Sequence, residues 1–204
     1  MTDQKRQYKK KRRAELEERT RLRITESAVA LHGTLGPSRT SISAVAEHAG
    51  VRRSTLYRHF ADEAALFAAC AGHWMAGNPL PDLERWAAIE PPDERLRAAL
   101  QELYSYYRRT ERMMGNLLRD EETVPVVKAL FAGFHEYMAA ARTTLMSGRT
   151  ARGGPRRRLL AAIGHALAFS TWRSLVREQG LEDSQAAELM RRLVGAASGT
   201  QDRR

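Results

Sequence analysis

The stretch Ser41-Ile42-Ser43-Ala44-Val45-Ala46-Glu47-His48-Ala49-Gly50-Val51-Arg52-Arg53-Ser54-Thr55-Leu56-Tyr57-Arg58-His59-Phe60 decides how the chain is read. It holds two short helical patterns joined through one glycine. Ile42, Val45, Ala46 and Ala49 make the first apolar stripe; Val51, Leu56 and Phe60 carry the second inward. Ala46 is small where two helices must approach closely, and Gly50 permits the positive φ that a tight interhelical turn requires. Two short helices so joined read DNA when the second can lie in a major groove about 12 Å wide. Arg52 and Arg53 sit where the second helix begins, and positive charge there opposes the helix dipole by roughly 0.3–1 kcal/mol per residue. Neither is a good N-cap. Arginine at this point is wrong for the helix and right for a polyanion, and a local rule broken on an exposed turn marks function. Ser54, Thr55, Tyr57, Arg58 and His59 add hydrogen-bonding groups along the same element.

The charge distribution agrees. Of a net charge of +10 over 204 residues, residues 1–60 supply 14 Lys and Arg against 6 Asp and Glu, a balance of +8. Such asymmetry fits a polyanion partner for the N-terminal third, although a basic tail alone serves a membrane surface equally well. Residues 1–13 include Lys5, Arg6, Lys9, Lys10, Lys11, Arg12 and Arg13 without apolar periodicity and read as a disordered arm, with a helix plausible from about Ala14. Ile24, Ala28, Leu31 and Leu35 then form one stripe that Gly36-Pro37-Ser38 ends. Thr40 or Ser41 can cap the next helix. Asp62 caps the fourth, where Leu66, Ala69, Cys70 and His73 share a face until Gly77-Asn78-Pro79.

Four prolines in 78–93 mark a junction around a short helix at Leu83–Ile89. Beyond it Leu96, Leu100, Leu103 and Tyr107 form a helix with a break expected near Thr110, followed by Met113, Met114, Leu117 and Leu118. Pro125 suits the first turn of the next helix. Two last helices are expected at Arg157–Glu178 and Ser184–Ala197. No alternating strand pattern and no repeat occurs, so the fold expected is all-α. An N-terminal three-helix helix-turn-helix domain precedes a helical ligand-binding and dimerisation domain. The divisions are 1–17 for the basic arm, 18–77 for the DNA-binding domain and 78–204 for the remainder.

Thr40-Ser41-Ile42, Val45-Ala46, Ala49-Gly50-Val51, Thr55-Leu56-Tyr57, His59-Phe60 and Leu66, with Ala30-Leu31 and Gly36 before them, resemble the N-terminal domain of TetR-type repressors. The match covers about residues 18–77, and the Arg-rich, Lys-poor composition is similar to that of actinobacterial members. The resemblance implies a homodimer on pseudo-palindromic double-stranded DNA, with an effector-binding second domain. It implies that Arg53, Ser54 and Thr55 face bases or nearby phosphates, that Tyr57 and His59 contact phosphates, and that Ser41 offers its hydroxyl or backbone N–H. Arg52 stands where many members have serine, and Glu63 where many have a phosphate-binding lysine. The arm residues Lys9, Lys10, Lys11, Arg12 and Arg13 are expected to compensate by reaching phosphates or a minor groove.

In the second domain Trp86, Tyr104, Tyr107, Met113, Met114, Phe131, Phe134 and Met138 recur at helical spacing, which more often means plain core than a ligand lining. The resemblance raises the ligand reading, with Asn116, Arg119 and His135 as polar contacts and a small apolar or amphipathic effector as the ligand. Leu159, Leu160, Ala162, Ile163, Ala166, Leu167, Phe169 and Trp172 cover more than one helix face, and Leu189, Met190, Leu193, Val194 and Ala197 make a second stripe. Ile163, Ala166, Leu167, Phe169, Leu189, Met190 and Leu193 are therefore the candidate dimer surface.

No apolar run long enough to span a membrane and no secretory signal is present, and a lone cysteine, Cys70, suits a reducing cytoplasm. No GxSxG, phosphate-cradling glycine loop, HExxH or CxxC pair occurs, so neither catalytic residue, metal ligand nor cofactor is assigned. The reading is a sequence-specific transcriptional regulator, first a repressor released by its effector. The alternatives are an activator or a regulator without effector, a nucleoid-type architectural protein, and most distantly an α-helical enzyme.

Overall fold

The computed structural model describes residues 2–197, with side chains from residue 4 onward. Among the described residues the chain is helical throughout, without a strand. Its helices are α1 (Thr2–Thr34), α2 (Ile42–His48), α3 (Arg53–His59), α4 (Glu63–Gly77), α5 (Leu83–Ala87), α6 (Pro92–Asp120), α7 (Pro125–Met146), α8 (Gly153–Leu167), α9 (Phe169–Arg173) and α10 (Asp183–Ala197).

The helices form two compact units. The first takes the chain up to Pro79 together with Arg112–Ala129; the second takes Leu80–Glu111 and the chain from Leu130 onward. The end of α6 and the start of α7 thus belong with the first four helices, whereas a single cut at residue 77 leaves them outside that unit.

In the first unit the core gathers Ile24 and Ala28 of α1, Ile42, Val45 and Ala46 of α2, Leu56 of α3, and Leu66, Phe67 and Cys70 of α4. The stripe expected on α1 stops short of Leu35, which lies beyond the last helical residue and is 44% exposed. On α4 His73 is exposed, and Phe67 is buried beside Leu66 and Cys70.

The C-terminal end of α1 is finished by residues more than eighty positions away. Asn116 Nδ2 donates to the carbonyls of His32 and Gly33 at 2.9 and 3.0 Å, and Arg119 Nη2 donates to Leu35 O at 3.0 Å. These are carbonyls that a helix end leaves without an intrahelical partner. Asp120 Oδ2 accepts from the Ser38 backbone N–H at 2.9 Å, while Arg119 Nε donates to Asp120 Oδ1 at 2.9 Å. Gly36 turns this corner at φ +95°; a Cβ there would overlap the Arg119 guanidinium and lie 2.8 Å from Asp120 Oδ2. Glycine is required twice over, by its backbone angle and by the space.

Three expectations are corrected. The basic N-terminus is not an irregular arm, since α1 runs through it from Thr2. No break occurs near Thr110: α6 continues to Asp120, and the Thr110 hydroxyl donates to Tyr106 O at 2.7 Å inside the helix. Conversely, the single helix expected over 157–178 is broken. Ala168 takes an extended ψ of 136° between α8 and α9, and Ser174–Glu178 continues α9 as a π-helical turn. The break leaves carbonyls unpaired, and two buried tyrosines satisfy them. Tyr104 Oη donates to Ala166 O at 2.9 Å and Tyr107 Oη donates to Leu167 O at 2.6 Å. Burial pushes both phenols well above their ordinary range.

The rest of the second unit is built around those tyrosines. Phe169 and Trp172 pack against Tyr107 with ring centroids 5.3 and 5.9 Å away. Trp172 Nε1 donates to Asp183, which also receives Arg108. Arg95 is buried on α6 and donates to the carbonyls of Ile89, Thr144 and Ser147, tying α6 to the end of α7.

Candidate nucleic-acid interface

The candidate DNA-reading residues gather on one short exposed element. Ser41 is the N-cap of α2, where Ala44 N–H donates to its Oγ at 3.1 Å. The hydroxyl keeps its own proton for a further acceptor, and the residue is exposed. Gly50 turns the chain at φ +63°, and Val51 N–H closes the turn on Ala46 O at 2.9 Å. Arg52 is the N-cap of α3 and makes no capping hydrogen bond through its side chain, as expected of an arginine in a cap position. No acidic residue offsets the charge in the first turn.

Leu56 is fully buried and anchors α3, while Arg52, Arg53, Ser54, Tyr57 and Arg58 are exposed and Thr55 and His59 are half-buried. The Arg53 guanidinium lies 5.9 Å from the centre of the Tyr57 ring, so base-reading and phosphate-reading candidates lie side by side. Arg21 of α1 supports the far end of α3: its Nη1 donates to His59 O at 2.7 Å, and its guanidinium stacks 4.3 Å from the Phe60 ring. Sequence patterning did not single out Arg21; its role depends on a contact 38 positions away.

His59 differs from its expected role. Its Nε2 is shut off from solvent without a hydrogen-bond partner, so a phosphate could reach the ring through Nδ1 alone. Desolvation, helped by the Arg58 charge, lowers its pKa below the ordinary imidazole value. Asp62 caps α4, accepting from Ala65 N–H at 2.7 Å, with Glu63 behind it in the first turn. Both acids therefore serve the helix.

Lys9, Lys10, Lys11, Arg12 and Arg13 project from α1 as exposed side chains, and Arg13 pairs with Glu17 at 3.0 Å. Five consecutive residues of a helix span more than a full turn, so this charge surrounds α1 and forms no single stripe.

The ten candidate pocket residues divide between the two units. Met113, Met114 and Asn116 belong to the first unit, where Asn116 caps α1. In the second unit Trp86 is fully buried and donates to Glu102 at 2.9 Å, and Tyr104 and Tyr107 hold the α8–α9 break. On α7, Phe131 is buried, Phe134 and Met138 are half-buried and His135 is exposed. The seven candidate dimer residues divide too. Ile163, Ala166, Leu167, Phe169 and Met190 lie in the protomer's own core, whereas Leu189 and Leu193 on α10 are 38% and 52% exposed. Among the described residues no group of three or more His, Cys, Asp or Glu could hold a metal ion, and no single helix is long and apolar enough to cross a membrane.

The sequence profile of the bacterial regulatory proteins of the tetR family matches residues 24–70, from the buried part of α1 to the middle of α4. Comparison with curated protein sequences returns no match. Solved structures similar to the chain include a TetR-like transcriptional regulator from Rhodococcus sp. RHA1, at 19% identity and a TM-score of 0.64 over 89% of this chain and 97% of that one. A second transcriptional regulator from Rhodococcus sp. Rha1 is 17% identical with a TM-score of 0.58, covering 85% of this chain and 95% of the other. A tetR-family transcriptional regulator from Streptomyces coelicolor gives 17% and 0.57, over 87% and 81%. At such identities the likeness is one of fold: an N-terminal helix-turn-helix domain followed by a helical domain.

Proposed function

The chain belongs to the tetR family of bacterial regulatory proteins through its N-terminal domain, and from that premise we propose that it is a homodimeric repressor of a pseudo-palindromic operator. One observation carries the reading: Arg52, Arg53, Ser54, Tyr57 and Arg58 stand exposed at and along α3, whose first turn holds no acidic residue, above a buried Leu56. Arg53 serves a base edge, with Thr55 and Ser54 beside it, and Tyr57, Ser41 and Arg58 position the helix on phosphates. The basic N-terminal part of α1 adds phosphate contacts that carry affinity without sequence preference. The two-fold partner covers Leu189 and Leu193 of α10.

Release from the operator is assigned to a small apolar or amphipathic effector held in the second unit. Phe134 and Met138, which keep apolar surface half-exposed on α7, are the residues assigned to touch it. Selecting a consensus site from random duplexes with the purified full-length chain tests the reading. A symmetric site bound at least 1,000-fold more tightly than random DNA is expected, with its transcription rising in a reporter when the protein is removed. An enrichment without consensus overturns the regulator; a fall in transcription overturns repression.

A further inference from the structure

The first unit contains a cleft of about 360 Å3 that the DNA-binding reading does not use. Ile42 and Val45 of α2 form one wall and Leu66 and Phe67 of α4 another, while Val124 of the turn between α6 and α7 and Val126 of the first turn of α7 close it. Its size falls within the range of small-molecule sites, and its walls are mostly aliphatic and aromatic carbon.

The few polar side chains in the lining have one property in common. His32 is buried, with Nδ1 3.5 Å from Cys70 Sγ. In the tautomer that leaves the Cys70 thiol donating to Phe67 O at 3.1 Å, Nδ1 carries the ring proton toward sulfur and Nε2 carries the lone pair. Burial holds the ring neutral, with a pKa lowered to about 4, and pushes the thiol up to about 12. Thr40 donates its hydroxyl proton to Gly36 O at 2.8 Å and is left with acceptor lone pairs. Glu63, exposed at the rim, is a carboxylate. Each of these side chains can accept a hydrogen bond, and none supplies a positive charge. Pro37 and Pro125, also in the lining, have no backbone N–H to offer.

We propose that this cleft is a binding site for a small, flat, uncharged or cationic apolar molecule carrying an O–H or N–H donor, of the aryl alcohol or aryl amine class. The apolar ring system fills the space between α2 and α4. Its donor meets His32 Nε2 or Thr40 Oγ1, and Glu63 excludes carboxylates of the same shape. The cleft is lined by residues of the first unit, whereas Phe134 and Met138 belong to the second, and its walls include the first helix of the helix-turn-helix. Occupancy therefore acts on α2 itself.

The probe is 2-naphthol, titrated into the full-length protein without DNA and followed by calorimetry. Binding of one 2-naphthol per chain is expected, with 2-methoxynaphthalene, which lacks the donor, and 2-naphthoate each at least tenfold weaker. Glu63→Gln should recover most of the naphthoate deficit. Ala64→Trp, at an exposed lining position, fills the mouth and should abolish binding, while an unchanged thermal midpoint shows that the variant is folded. Val126→Trp fills the opposite side and should do the same. No binding at millimolar probe, equal binding of naphthoate, or binding that survives both tryptophan variants overturns the site. Since operator affinity is measured separately, a chain that binds probe but no operator refutes the regulator and leaves the cleft standing.

Discussion

Arg53 and His32 show how one side chain's surroundings set what it can do. Arg53 is exposed at the start of α3, in a first turn that holds no acidic residue, and its guanidinium offers donors suited to a guanine edge. Arg53→Ala should cost about 1–3 kcal/mol on the selected operator and relax preference at one position per half-site. Anisotropy titrations on operator and random DNA check this, and an equal loss on both would make Arg53 a phosphate contact. His32 is held neutral by burial, with a folded pKa of about 4 against an ordinary value of 6.5; the Asp120 charge opposes the shift without cancelling it. Between those values the unfolded chain binds the extra proton and the folded one does not, so stability rises with pH. The contribution is fully present above about pH 6.5 and is lost as pH falls toward 4. Urea midpoints should drop over that window by an amount worth up to about 3 kcal/mol, and His32→Phe should flatten the slope.

Helices were legible in the sequence wherever their own residues decide them. The stripe Ile42–Val45–Ala46, the Ser41 and Asp62 caps and the buried Leu56 need only local periodicity and local hydrogen bonds. Ends and interruptions settled by distant partners were not legible. No proline or glycine adjoins Ala168, and the carbonyls exposed by the break are satisfied by Tyr104 and Tyr107, some sixty residues earlier. Asn116 and Arg119 carried no signal for capping α1, and their polarity suggested ligand contacts. On α3 the exposed candidates were legible, but the inward-facing Nε2 of His59 was not. The basic start of α1 gave no helical signal because apolar periodicity is absent from a helix that buries no face there. As a helix rising about 1.5 Å per residue, it distributes its charge around a fixed axis. Deleting residues 1–13 removes seven Lys and Arg. Binding to operator and random DNA should weaken together, and log K against log[salt] should flatten by about 0.9 for each phosphate no longer neutralised. An unchanged slope would remove the segment from the interface.

At the level of the whole molecule, the proposed dimer rests on little exposed apolar surface. Leu189 and Leu193 stand one turn apart on α10, beyond the buried Ala186, Met190 and Val194. The double variant Leu189→Glu with Leu193→Glu should leave the protomer folded, because neither side chain is in its core. It should convert the chain from dimer to monomer at micromolar concentration in sedimentation and weaken operator binding at least tenfold. A sedimentation coefficient identical to that of the parent would show that α10 is not the two-fold surface. The assignment of Arg112–Ala129 to the first unit also bears on how regulators of this kind can be recombined. A hybrid that grafts residues 1–79 onto a foreign sensing half discards Asn116, Arg119 and Asp120, leaving the last carbonyls of α1 and the Ser38 amide without their partners. The transferable cassette is discontinuous: a swap succeeds when the incoming sequence keeps these three residues in register with Gly36, and a single splice point after α4 cannot ensure that.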